Sequence, residues 1–217
     1  MKNKTKLSFI AAFFLIAATG LCFTGCTSEI SLELKKDGSV EAVFNGVAGK
    51  AFAALIGPAL GTEDAQTVIF DTKQIEEEMT QSGFSSVKAV SKNGADISVN
   101  ALDKKSKSVL FSSGIVSVEK GKLHAVLTPE KLLSFYANAD SQTVQFMDML
   151  LAPVFNDEKM TEEEYLEVLT AFYGEEITQE IKESNFLITL KNPDGTKTVK
   201  SIGITKLLTL DETIEIK

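Results

Sequence analysis

The single histidine, His124, is the side chain best suited to move a proton near neutral pH, and it lies mid-strand in GKLHAVL. Strand alternation places Lys122, His124 and Val126 on one face and Leu123 on the other. One histidine suffices for a Ser-His-Asp site, yet no Gly-x-Ser-x-Gly elbow occurs in the chain. A zinc site built on His124 lacks a second histidine, so no metal is expected. Carboxylates cluster at 76–78, 157–158, 162–164 and 175–176. Paired carboxylates serve as acid and base or hold calcium. Here no Asp-x-Asp-x-Asp-Gly loop occurs, and NPDGTKT at 192–198 lacks the earlier acids and the later Glu. Such clusters in the first turn of a helix offset its dipole and face water. No Gly-x-Gly-x-x-Gly and no phosphate loop is present. The chain reads as non-catalytic and cofactor-free; the alternative is a hydrolase that uses His124.

The two cysteines, Cys22 and Cys26, belong to the other reactive stretch. Lys2, Lys4 and Lys6 form a basic head, and no acid precedes Glu29. From Leu7 to Phe23 the chain is apolar or small, short for a span of about 20 residues and suited to a signal peptide. It ends Phe23-Thr24-Gly25-Cys26, which resembles the lipobox of bacterial lipoproteins, with Phe23 where leucine is usual. The resemblance implies that residues 1–25 are a signal peptide and that Cys26, diacylated, becomes the first residue of the mature chain. The alternative is an uncleaved anchor helix. Two acyl chains, at about 0.8 kcal/mol per buried methylene, anchor a protein stably where one is marginal.

Residues 26–217 form the body. Removing three lysines takes the formal charge from −8 to −11, and every basic side chain is lysine, with no arginine. An acidic body of this kind excludes nucleic acid as partner. It also excludes electrostatic docking to anionic lipid, so the membrane contact is the lipid anchor or an apolar surface. With Cys22 in the signal and Cys26 acylated, neither a disulfide nor a thiol nucleophile remains. The remaining 192 residues suffice for one domain.

Within that body, ISLELKKDGSVEAVF alternates on both sides of Asp37-Gly38 and predicts a hairpin. A second is expected around Asn93-Gly94. A third, with alternation along both arms from Ser108 to Leu127, is expected to turn at Gly121. Asp71 predicts a helix start, with Ile75 and Met79 on one face, Glu76–Glu78 opposite and Gly83 as the stop. From about 128 to 184 the period becomes helical, opened by Thr128-Pro129 and by Thr161 with Glu164. The chain closes on strands near 185–216 around Pro193-Asp194-Gly195. FLITLKNPDGTKTV resembles ISLELKKDGSV locally, through shared hairpin chemistry. The fold expected is α+β: an antiparallel sheet of hairpins from both chain ends, with a mid-chain helical insertion packed on one face.

The lipobox, then Leu32, Leu34, Asp37, Gly38 and Val40, then Gly83, Phe84 and Val87, resemble the LppM-type domain of bacterial envelope lipoproteins over the first half of the mature chain. That resemblance implies α+β structure and envelope location. Two stretches are apolar on more than one face, 47–60 and 143–155, with Phe52, Leu55, Ile56, Phe146, Met147, Leu150 and Leu151. They are expected either in the core or lining an apolar groove for a lipid or an envelope protein partner. The functional expectation is a membrane-anchored, non-catalytic binding or structural module of the cell envelope. Thr27 and Ser28, lacking an aspartate, favour the outer membrane where the cell has one.

Overall fold

The computed structural model describes residues 28–56, 70–136, 151, 153, 156 and 159–217. Strands β1 (Ser28–Leu34) and β2 (Val40–Val47) form the first hairpin. Its turn closes because Asp37 Oδ1 accepts from Ser39 N at 3.0 Å and Ser39 Oγ at 2.6 Å, and Gly38 takes the φ of +83° that the turn needs. In the hairpin of β3 (Ser86–Val90) and β4 (Asp96–Asp103), Asn93 Oδ1 accepts from both Ala95 N and Asp96 N. Asp194 repeats the Asp37 arrangement with Thr196 between β7 (Asn185–Lys191) and β8 (Lys197–Gly203).

These strands make one six-stranded sheet in the order β3-β4-β2-β1-β7-β8. The hairpins from the two chain ends meet where β1 runs parallel to β7, with Ile30 opposite Ile188 and Leu32 opposite Leu190. The sheet is therefore mixed, with one parallel pair among antiparallel neighbours. A second, three-stranded sheet joins β5 (Val116–Glu119), β6 (Lys122–Leu127) and β9 (Ile214–Ile216). The fold is α+β.

One face of the large sheet is dry, carrying Leu32, Phe44, Val99 and Ile188. The other is a polar ladder in which Asn45 donates to Glu29, Ser98 donates to Asn45 and Asn100 donates to Glu41. A one-sided pattern of this kind leaves one face for a covering layer.

Several helices begin at side-chain caps. Asp71 accepts from Lys73 N and Gln74 N at the start of α2 (Thr72–Gln81), after the short α1 (Lys50–Ile56). Glu78, assigned by periodicity to the wet face of α2, is buried beside Ile75 and Met79, while Glu76 accepts from Ala89 N at 2.9 Å. The stretch from Val109 to Ser112, expected as a strand arm, is a single helical turn, α3. Helix α4 (Pro129–Tyr136) follows Thr128, whose Oγ1 accepts from Lys131 N. A complete Thr161/Glu164 capping box opens α5 (Glu162–Tyr173), and α6 (Glu175–Glu183) follows. The terminal strand region contains α7 (Ile204–Thr209), whose Ile204, Leu207 and Leu208 are buried. No helix among the described residues is long and apolar enough to cross a membrane.

Candidate functional site

Between the dry face of the large sheet and the small sheet lies an apolar cavity of about 160 Å³. The large sheet supplies Ile30, Leu32, Ala42, Phe44, Val99, Phe186 and Ile188; the small one supplies Val116, Ala125 and Leu127. Met79 of α2, Leu132, Phe135 and Tyr136 of α4, and Leu207 with Leu210 close the sides. Phe135 and Tyr136 meet edge to face at 5.4 Å, and Phe44 and Phe186 lie 6.5 Å apart. Burial pushes the Tyr136 phenol above its ordinary pKa, so it stays neutral.

Small residues on opposing walls create the space. Ala42 and Ala125 face in from the two sheets where larger side chains would interdigitate. In its wall Ile30 and Phe186 are half-buried, as are Leu110, Leu127 and Leu132, whereas Leu32 and Ile188 are 2 % and 5 % exposed.

An engineered void of about 150 Å³ with such a lining stays dry and binds benzene or xenon, whereas drug-sized ligands occupy about 300 Å³ or more. This cavity suits one ring or a stretch of hydrocarbon chain. The described residues of its walls carry no charged side chain.

His124 lies elsewhere. It pairs across to Ser117, is half-buried, and sits on the opposite face of β6 from the cavity residues Ala125 and Leu127. Among the described residues, no hydroxyl or carboxylate hydrogen-bonds its imidazole. No group of acids, histidines or cysteines among the described residues is arranged to hold a metal.

Several carboxylates have structural employment. Asp103, 1 % exposed, accepts from Lys105 N, Lys107 N and Ser108 N at 3.0, 3.1 and 2.8 Å. Burial pushes its pKa up, but these bonds outweigh burial and hold the carboxyl below its ordinary value. Glu180 of α6 is buried and accepts from Ala51 N at 2.9 Å, capping α1 from a distant part of the chain. Gly49 makes room for it: a methyl there would fall 1.6 Å from Glu180 Oε1.

Of the residues expected to line a groove, Leu151 is fully buried at 0 % exposure and is not part of the cavity wall. Phe52, Leu55 and Ile56 belong to α1, but their side chains lie outside the described residues. Phe146, Met147, Leu150 and Cys26 lie outside them altogether. Most of the cavity residues escaped the sequence reading because each looks like ordinary core, and their juxtaposition depends on long-range pairing; Phe135 and Tyr136 stood out in the sequence as part of a long apolar stretch. Set against known protein families, curated proteins and solved structures, the chain matches none.

Proposed function

We propose that this chain is a bacterial envelope lipoprotein, anchored through acylated Cys26, whose body is a non-catalytic module that holds an apolar ligand. The observation that carries the reading is the apolar cavity of about 160 Å³, closed in by two sheets. A protein that spends stability on an apolar void between well-formed hairpins has that space for an occupant. The lipobox and the LppM-type motifs support the address, with the outer membrane preferred where there is one. The strongly acidic body supports attachment through acyl chains rather than headgroup charge.

Native mass spectrometry of the lipoprotein released from membranes, with extraction of what it carries, tests the binding reading. Wild type is expected to retain an apolar molecule, and Ala125→Leu, which fills the cavity, to lose it while remaining folded. Wild type without a bound molecule, or equal retention by the filled variant, overturns the proposal.

A further inference from the structure

Phe172 is 76 % exposed, the most of any large apolar side chain among the described residues, although Tyr173 beside it is half-buried. Val168, one helical turn earlier, is exposed as well. Residues four apart on a helix stack on one face. On α5, Glu164, Val168 and Phe172 therefore make one row, and Glu163, Glu167 and Ala171 the row beside it. All six are exposed, whereas Tyr165 and Leu169 across the helix are buried. Just past Gly174, the exposed Glu175 and Glu176 open α6. Residues 161–176 hold six glutamates and no lysine. Among the described residues, none of Glu163, Glu167, Glu175 and Glu176 lies in an ion pair. Apolar side chains scattered singly over a surface are ordinary. A phenyl ring continuous with an apolar row and flanked by unpaired charge has the build of a docking surface, an aromatic anchor within a polar rim.

We infer that the outer face of α5 docks a cationic amphipathic helix of another protein. Its apolar side covers Val168, Ala171 and Phe172, and its lysines or arginines meet the flanking glutamates. Charge selects this occupant. A second copy of the chain in a two-fold contact would bring the same carboxylates face to face. An anionic membrane surface is repelled in the same way. Shape selects a helix, because the two rows run along α5 as a ridge. Beside that ridge lies an open groove shared by α5, α6 and α1, where Glu167, Glu175, Glu176 and Glu183 outnumber Lys50 and Lys182. No residue of α5 lines the apolar cavity, so this surface is independent of the ligand-binding reading above.

The test places benzoylphenylalanine at Val168 of the full lipoprotein, in the cells that make it. The same probe at Val199 of β8, also exposed, is the control. After irradiation, the adducts are identified by peptide mass spectrometry. The adduct expected from position 168 is on a lysine- or arginine-rich amphipathic segment of another protein, and it is absent from position 199. Adding Phe172→Ser should lower its yield about tenfold or more, the loss on truncating a central anchor. Adding Glu167→Lys with Glu176→Lys should lower it at least as far, through like-charge contact. The urea midpoint of Phe172→Ser should match that of wild type, because the ring is mostly in water. Adducts on lipid, on a second copy of the chain or on a segment without basic residues overturn the inference. So does a yield indifferent to both variants, or no adduct at all. A lower midpoint for Phe172→Ser overturns it too, since the ring would then be holding the fold rather than a partner.

Discussion

Replacing Ala125 by leucine is expected to stabilise the ligand-free protein, the reverse of what the same change does in a filled core. At roughly 24 cal/mol per Å³, a void of about 160 Å³ costs the empty protein about 4 kcal/mol. Leucine adds three carbons at Ala125, a transfer gain of at most about 2.4 kcal/mol, and ordering the side chain takes back about 0.5–1 kcal/mol. A net gain of about 1.5 kcal/mol is expected, which for a chain of this size raises Tm by roughly 3–6 °C. Urea unfolding followed by circular dichroism, on protein stripped of bound apolar molecules, measures it through a higher midpoint at unchanged slope. A loss of about 1–3 kcal/mol, the usual cost of overpacking, refutes the reasoning, since it means no space exists beside Ala125. Adding an apolar ligand then supplies an internal check. It stabilises wild type by mass action and does little for the filled variant, so the two curves draw together.

Gly83→Ala is expected to cost at least about 2 kcal/mol more than Gly38→Ala. Both glycines have positive φ, but a methyl on Gly83 meets the Lys107 carbonyl oxygen at 2.4 Å, whereas nothing lies within 4 Å of one on Gly38; equal urea midpoints would contradict this. Asp103→Ala is expected to cost about 2–4 kcal/mol at neutral pH, through three lost bonds to a buried carboxylate. Because the folded carboxyl is held below its ordinary value, that contribution is full above about pH 4 and disappears as pH falls through the folded pKa. Midpoints of wild type and variant should therefore converge in acid, and a gap that widens there would count against the assignment. Metabolic labelling with a palmitate analogue is expected to mark wild type and not Cys26→Ser; equal labelling removes the anchor from the proposal.

Local chemistry made part of this fold readable in advance. Asp37-Gly38, Asn93-Gly94 and Pro193-Asp194-Gly195 each close a hairpin through side chain to backbone bonds spanning two or three residues, which sequence displays directly. The Asp71 and Thr161/Glu164 caps are equally short-range. The parallel β1–β7 pair was not readable, because Leu32 and Leu190 signal only that each belongs in a strand, not that they are neighbours. Residues 109–112 and 204–209 alternate well enough to pass for strands; packing of Leu207 and Leu208 decides otherwise. Glu78 carries charge and therefore reads as wet, although the fold buries it, as it also buries Glu180. The cavity combines these difficulties. Ala42, Ala125 and Ile188 are unremarkable singly, and only the pairing of two sheets leaves space between them.

The parallel pairing of β1 also has a mechanical consequence. The strand nearest Cys26 is not at an edge of the sheet but is laced on both flanks, to β2 and to β7. A pull delivered at Ser28 draws β1 along its own axis. In that direction the rungs on both flanks resist together, instead of opening one after another as they do when an edge strand is peeled away. Under the proposed anchor, tension enters through a strand held on both flanks, not through an edge strand such as β3 or β8.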